Sequence, residues 1–503
     1  MVTRASLVWA FTIILTVVSG TAVSAQEAVS AYHIALGGGT AFVTGPSAHF
    51  RNPANIILTD PSHRHHITLG TAGLYHSHGL AASNAGDLPG ETTAFFVPED
   101  LSSHKSVSET DLDMMFGNSD RFSRTHSIEV VPLTYTWADE SRGYSLAWRS
   151  RGISSFEMNR NWFDNEAVDS ESPSPFTRYL NENYQVLHEI SFAMAREVTM
   201  LNRWQAGLNT LYIGLAPKLV LGGMHSEMRY RSDLDPVQTG WQSAGLMEAR
   251  ASGDISLYMA DLLRSSDAEE AFRNHMEPSS NLGINGAGFG LDAGLTYIIP
   301  LGDDISLSPH HQAPLRKSLR LSVALTDIGA VRYHGSPSKW QSREVRRTYD
   351  ELPRTLAVYS GKPGDFFRYI QEESGDETVL DNLAQVDDQP YFIQLPTELH
   401  MGTAFQYNWI TTVANMNYRL NSPDFNAGGW RFSLGADIRL LRFLPVMGSV
   451  QWQPDSDITF GMGAGLDLGL LKAFGAVRFI PSPGERSGLH VNNLSTLTLQ
   501  ISF

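Results

Sequence analysis

The stretch that decides the fold is the last one, Leu494-Ser495-Thr496-Leu497-Thr498-Leu499-Gln500-Ile501-Ser502-Phe503. Leu497, Leu499, Ile501 and Phe503 fall on one face, and Thr496, Thr498, Gln500 and Ser502 on the other. Side chains alternate along a strand, so this is an amphipathic strand about ten residues long, enough to cross a bilayer when tilted. The same alternation recurs upstream. In 431–440, Phe432, Leu434, Ala436, Ile438 and Leu440 oppose Arg431, Ser433, Gly435, Asp437 and Arg439. In 460–468, Phe460, Met462, Ala464, Leu466 and Leu468 alternate with Gly461, Gly463, Gly465 and Asp467. In 288–299, Phe289, Leu291, Ala293, Leu295, Tyr297 and Ile299 oppose Gly288, Gly290, Asp292, Gly294 and Thr296.

A soluble sandwich alternates too, with its apolar face hidden in a core. The N-terminus separates the two cases. Arg4, the apolar run Leu7 to Val18, and Val23-Ser24-Ala25 before Gln26 form a secretory signal peptide over 1–25. Its apolar run is too short to span a membrane, and no cysteine is present to carry a lipoprotein anchor. No second run of eighteen apolar residues follows, so a mature chain that spans a membrane does so as a closed barrel. The expected place is the bacterial outer membrane, reached through the periplasm, with lipid as the first partner.

Fourteen strands are expected, near 66–76, 125–137, 142–153, 184–198, 203–222, 287–300, 317–330, 397–408, 411–420, 430–441, 445–453, 457–468, 471–480 and 494–503. A fifteenth candidate, 247–260, conflicts with the even strand count and the short periplasmic turns of bacterial barrels. Counting back from a last strand that ends in the periplasm makes the turns at 138–142, 199–203, 409–411, 442–445 and 469–470 periplasmic. The segments 77–124, 154–183, 233–286 and 331–396 become extracellular loops, the third absorbing 247–260 and a short helix near Asp267 to His275. The expected fold is thus all-β: a closed antiparallel transmembrane barrel over 61–503. Residues 26–60, with Gly37-Gly38-Gly39 and Asn52-Pro53-Ala54, do not alternate and are expected to form a plug inside the lumen. Asn before Pro favours an extended or turn conformation there.

Composition narrows the function. The formal charge of −16 argues against a nucleic-acid partner, and the absence of cysteine removes thiolate chemistry. No His-Glu-x-x-His or Gly-x-Ser-x-Gly occurs, so no enzyme, cofactor or metal is expected. Histidines gather at His63, His65, His66, His76 and His78 without a metal-ligand spacing, and His310-His311 sits in a turn. The acidic stretch 371–388 lacks an ordered calcium-loop pattern and is expected to be a solvated face. Gly461-Met462-Gly463-Ala464-Gly465 lies in a strand, not at a strand-to-helix turn; its inward glycines leave room for the plug. Alternation places Asp292, Arg320, Arg431, Asp437, Arg439, Asp467, Lys472 and Arg478 toward the lumen, as an ion-pair lattice stiffening the wall or as a ligand path.

Three stretches resemble the FadL-like outer-membrane barrels, nearest the branch of PorV-type proteins. They are Ala35-Leu36-Gly37-Gly38-Gly39-Thr40-Ala41-Phe42-Val43 with His49-Phe50-Arg51-Asn52-Pro53-Ala54; Gly288 to Tyr297; and Leu319 to Gly329, ending Thr326-Asp327-Ile328-Gly329. The third glycine and Thr40 depart from the family pattern. The resemblance implies a fourteen-stranded barrel with a plug. It implies either passage of hydrophobic small molecules or, for the PorV type, a scaffold or secretion accessory that meets a protein partner through loops 77–124 and 331–396.

Overall fold

The computed structural model describes residues 30–59, 63–81, 120–139, 141–162, 174–198, 210–253, 283–301, 317–349, 382–421, 429–441, 443–453, 458–481 and 489–503. The strands are, in order, β1 (His65–Ala81), β2 (Arg121–Ala138), β3 (Arg142–Asn159), β4 (Phe176–Glu197), β5 (Thr210–Val237), β6 (Gly240–Ser252), β7 (Gly286–Pro300), β8 (Lys317–Tyr333), β9 (Ser338–Ser342) and β10 (Val345–Tyr349). They continue as β11 (Leu383–Asp387), β12 (Tyr391–Gln394), β13 (Glu398–Tyr407), β14 (Ile410–Arg419), β15 (Trp430–Leu441), β16 (Leu444–Trp452), β17 (Thr459–Asp467), β18 (Leu471–Pro481) and β19 (Leu489–Ser502).

Fourteen of them close a ring. Strands β1 to β5 pair in sequence, β5 pairs with β7, β7 with β8, β8 with β13, and β13 to β19 follow in order. The ring shuts where β1 meets β19, with Ile67 opposite Ile501. Closure leaves no sheet edge within the wall, the condition for β-structure in lipid. The side chains confirm the medium. Phe289 is 76% exposed and Leu434 66%, while Asp292 and Arg431, on the opposite faces of the same strands, are buried. Aromatic side chains gather toward both ends of the wall. Trp137, Tyr144 and Phe192 stack at the end shared with Phe503, and Tyr418, Trp430, Phe432 and Trp452 stack at the other, as expected of membrane-interface belts.

Several segments expected to be loops are strand. Residues 154–159 and 176–183 extend β3 and β4, which stay in register to Met158 opposite Leu180. β5 has 28 residues, about 90 Å at the usual rise, far beyond the ten or so needed to cross. Within 233–286, β6 pairs with the outer half of β5. Within 331–396, β9 to β12 pair with β6, with each other or with β8. Of the doubtful candidate 247–260, residues 247–252 are strand, outside the ring, and 254–260 lie outside the described residues. These segments were missed because backbone pairing continues above the membrane, where no lipid imposes one apolar face. Glu157, Asn181 and Glu182, for example, sit in paired strands. The expected helix near 267–275, the turn at 199–203 with the start of its strand to 209, the pair His310-His311 and acidic residues 371–381 lie outside the described residues.

Candidate functional site in the lumen

Residues 30–59 cross the lumen from one wall to the other and are almost entirely buried. Helix α1 (Ala31–Leu36) lies against β15 to β18, its Ile34, Ala35 and Leu36 packed with Met447, Phe474 and Ala476. It ends at Gly37 in the left-handed region, φ 68°, where a side chain would also run into Ser433. The wall is cut back to receive it. A Cβ on Gly461 would stand 2.5 Å from the Ile34 carbonyl oxygen, and one on Gly463 2.7 Å from Ala35 Cβ. Gly465 instead faces Phe474.

Two polar latches fix the segment. At the first, Gly39 N–H donates to Asn415 Oδ1 at 2.9 Å, and Arg478 donates to the carbonyls of His33 and Ile34 at 3.2 and 3.1 Å. At the second, Asn52 caps the short 3-10 turn Pro53–Ile57, accepting Ala54 N–H at 3.1 Å, with proline at the position that needs no donor. The Asn52 amide donates to Thr40 O and, at 2.9 Å, to Thr296 Oγ1 of β7. Asn55 donates to Thr40 O and Val43 O and accepts from the Thr296 hydroxyl. Pro53 and Ala54 press on Gly214 of β5 and Asn52 on Gly294 of β7, where any Cβ would overlap the backbone or the amide; Ile57 approaches Gly143 of β3.

Charged side chains line the wall in three groups. The first is a belt on β2, β3, β4, β5, β7 and β8. Arg149 meets Glu129 at 3.3 Å, Glu189 at 2.7 Å and Asp327 at 3.2 Å. Arg151 meets Glu189 and Asp327 at 2.8 and 2.9 Å. Lys218 pairs with Asp327 and, at 2.8 Å, with Asp292. The belt touches the segment through Phe50, whose ring lies 4.3 Å from the Arg149 guanidinium. His49 bonds Ser145 at 2.9 Å; burial, with Lys218 and Arg149 nearby, pushes its pKa down to about 3, so the ring is neutral.

The second group stands on the far wall. Glu398 pairs with Arg431 and lies 3.9 Å from Arg51 of the segment, beside His400, Arg419 and, nearby, Arg478. The third, toward the Phe503 end, joins Arg439 to Asp437 at 3.1 Å and to Asp467 at 3.5 Å, with Lys472 on Asp467.

The expected lumen residues therefore divide. Asp292 belongs to the belt, Arg431 to the second group, and Asp437, Arg439 and Asp467 to the third. Arg320 is on the inner face of β8 with Ser318 and Ser322, in none of these ion pairs. The belt residues Arg149, Arg151, Lys218, Glu129, Glu189 and Asp327, and Glu398 opposite, were not foreseen. Alternation alone would have turned Arg149, Arg151 and Lys218 inward. Asp327 enters the belt only because the register of β7 against β8 slips beside it, which alternation does not show. His65 bonds Tyr135 and His66 bonds Ser502, each at 2.8 Å; the side chains of His76 and His78 lie outside the described residues.

A family model described as a family of unknown function, DUF5723, matches residues 80–477. No curated protein matches the sequence. Among solved structures the chain is similar to the toluene transporter TbuX of Ralstonia pickettii, at 11% identity and a TM-score of 0.42 over 94% of this chain and 97% of that one. It is similar to the toluene transporter TodX of Pseudomonas putida, at 10% identity and a TM-score of 0.44 over 95% and 98%. A FadL homologue of Pseudomonas aeruginosa aligns at 11% identity and a TM-score of 0.24 over 96% and 98%.

Proposed function

The chain belongs to the DUF5723 family, and we propose that it is a plugged barrel of the bacterial outer membrane that passes small hydrophobic molecules. The observation that carries this reading is the chemistry of the wall behind the segment. A generic lumen is polar. Here Ala48, Ala54, Ile56 and Ile57 rest on Ala193, Ala195, Tyr212, Ala216 and Ile298, and α1 rests on a second apolar patch. A segment that shifts from these patches uncovers an apolar path, suited to an apolar solute rather than to ions. In this reading residues 1–25 are the removed signal peptide, 26–60 the plug and 61–503 the barrel, with Asn52-Pro53-Ala54 as the plug's latch.

The test exploits a chain without cysteine. A Cβ on Gly402 would stand 3.2 Å from Thr40 Cβ, just short of the usual disulfide spacing of about 3.5–4.5 Å. The double variant Thr40→Cys, Gly402→Cys should therefore lock the segment when oxidised. Cells displaying the barrel should admit N-phenylnaphthylamine, a hydrophobic dye excluded by an intact outer leaflet. The oxidised lock should stop this and a reductant restore it. Equal entry with the lock closed and open would overturn the reading, and large steady ion conductance would replace it with a porin.

A second reading, a scaffold or secretion accessory of the PorV type, is favoured by one observation. The outer strands present exposed apolar side chains, Phe392 at 67% and Val386 at 53%. It expects a stable protein partner in a pull-down from outer membranes, lost in the double variant Phe392→Ser, Val386→Ser.

A further inference from the structure

The end of the wall that carries Phe503 is not alike around the ring. Between β2 and β3 the turn is polar. Asp139 Oδ1 accepts the N–H groups of Ser141 and Arg142, each at 2.8 Å, and Arg142 is exposed. Across the ring, three successive turns are apolar at their tips. They are Tyr407 to Ile410 between β13 and β14, Leu441 to Leu444 between β15 and β16, and Leu468 to Leu471 between β17 and β18. None of them carries a carboxylate. Trp409 is 50% exposed and Leu470 59%, and Tyr407, Phe443 and Leu468 are similarly open.

Slack turns could fold such side chains away. These are pinned instead. Trp409 O accepts the Arg439 N–H at 2.9 Å, Phe443 O the Asp467 N–H at 2.8 Å, and Leu470 O the Ser502 N–H at 2.8 Å. Each turn is thus bonded to the strand that follows it around the ring, β15, β17 or β19. Successive tips stand two strands apart, about 10 Å, so Trp409, Phe443, Leu470 and Phe503 make one fixed row roughly 30 Å long.

Height decides whether water or lipid surrounds this row. The aromatic girdle at the other end of the same wall is Tyr418, Trp430, Phe432 and Trp452, whose rings follow one another with centroids 4.5, 6.3 and 5.5 Å apart. Tyr418 stands nine residues from Trp409 along β14, and Trp452 nine from Phe443 along β16. At a rise of about 3.4 Å and a tilt of about 40°, that separation covers about 23 Å of the bilayer, close to the roughly 25 Å apolar band of such barrels. Raising the boundary by two residues, so that the tips stand in water, leaves about 18 Å, too little for that band. The tips themselves are therefore at the height of the second girdle. On β2 and β3 that girdle is Trp137 and Tyr144, and the polar turn continues beyond it.

Resting on the outer-membrane reading, we infer that the turns Tyr407 to Ile410, Leu441 to Leu444 and Leu468 to Leu471 are immersed in the periplasmic leaflet, where their row of apolar tips binds phospholipid. The barrel then meets periplasmic water unevenly: the β2–β3 turn stands clear of the membrane, and the rim from β13 to β18 lies within its surface. A rim built to hold a periplasmic protein would have no reason to fall at girdle height.

The chain has no cysteine, so single cysteines can report depth. Trp409→Cys, Phe443→Cys and Leu470→Cys are each labelled with bimane, beside Arg142→Cys on the polar turn and Leu434→Cys on the exposed mid-wall face of β15. The full barrel is reconstituted in phosphatidylethanolamine–phosphatidylglycerol vesicles, and folding is checked by heat-dependent mobility on a gel. The three tip labels should be quenched by lipid carrying a nitroxide near its headgroup, at least about half as strongly as Leu434 is quenched by one near the chain end, and should resist aqueous iodide. Arg142 should show the reverse. Tip labels quenched by iodide as readily as Arg142, and untouched by either lipid while Leu434 responds, would overturn the inference and hand the rim to a water-side protein partner. A Leu434 label that no lipid quenches would instead bring down the membrane reading itself, and the inference with it.

Discussion

Asn52→Ala tests whether the segment is held by its side-chain latch or by packing alone. The amide makes three bonds, to Ala54 N–H, Thr40 O and Thr296 Oγ1, and is fully buried. Their losses are unequal. Thr40 O keeps the Asn55 amide at 2.8 Å, and the Thr296 hydroxyl keeps Asn55 and Ser322. Ala54 N–H loses the Asn52 acceptor in a dry site, at about 1–3 kcal/mol, and the two lost bonds with surviving partners add about 1 kcal/mol in all. The sum, about 2–4 kcal/mol, corresponds to a roughly 30- to 1000-fold larger population of the undocked segment. Hydrogen exchange in detergent micelles reads this directly. Amides of residues 40–58 should exchange faster by that factor, while the wall amides of β15 to β18 keep their protection. Gly294→Ala, whose Cβ overlaps Asn52 Oδ1, should act on the same latch, so the double variant should cost less than the sum of the two. Unchanged exchange across 40–58 in Asn52→Ala would refute the reasoning and assign docking to the apolar contacts.

Lys218→Met leaves the belt's four carboxylates with two arginines; removing one member of a buried ion network costs about 3–5 kcal/mol. Urea unfolding in micelles should show that loss, with Lys218→Arg falling short of it. Leu295→Arg puts a cation on the lipid side of β7, where Leu295 is 48% exposed; near mid-membrane that costs about 2–4 kcal/mol, and the same assay reads it. Phe503 stacks on His65 with centroids 5.4 Å apart at the ring closure. Phe503→Ala should lower the fraction of chains that reach the heat-resistant folded form in cells, with little effect on chains already folded.

The ring was legible because lipid enforces one rule on every spanning strand: apolar out, at a period of two. Phe460 and Met462 outside with Gly461 and Gly463 inside follow it, as do Leu434 outside and Asp437 inside. The rule fixes the face of a side chain but not its height against other strands. Height depends on strand tilt and stagger, which no local pattern states. Lys218 and Asp292 both alternate inward, yet only the offset between β5 and β7 brings them to 2.8 Å. The outer strands were illegible for a different reason. β10 reads Val345-Arg346-Arg347-Thr348-Tyr349, with no apolar face to betray it, and forms because Arg346 and Arg347 find register partners at Ala244 and Ser243.

Asp327 shows how a short motif carries more than its alternation. The pairing of β7 with β8 slips between Leu291 and Ala293, so that Asp292 faces both Thr326 and Asp327. This is a bulge, and Asp327 takes φ 57°, a conformation that aspartate tolerates better than most residues. The bulge leaves the Asp327 N–H without a ladder partner; the Asp292 carboxylate accepts it at 2.6 Å. It also swings the Asp327 side chain into the belt, onto Arg149, Arg151 and Lys218. On its other edge β8 changes partner at the same place. Gln394 of β12 pairs with Ala330 and Glu398 of β13 with Thr326, and Thr397 Oγ1 bridges the gap by donating to Asp327 O at 3.0 Å. One irregular residue thus ends the wall, begins the outer sheet and closes the charge belt. The belt and the outer sheet therefore meet at Asp327, whose carboxylate lies 3.2 Å from the Arg149 guanidinium that in turn covers the ring of Phe50.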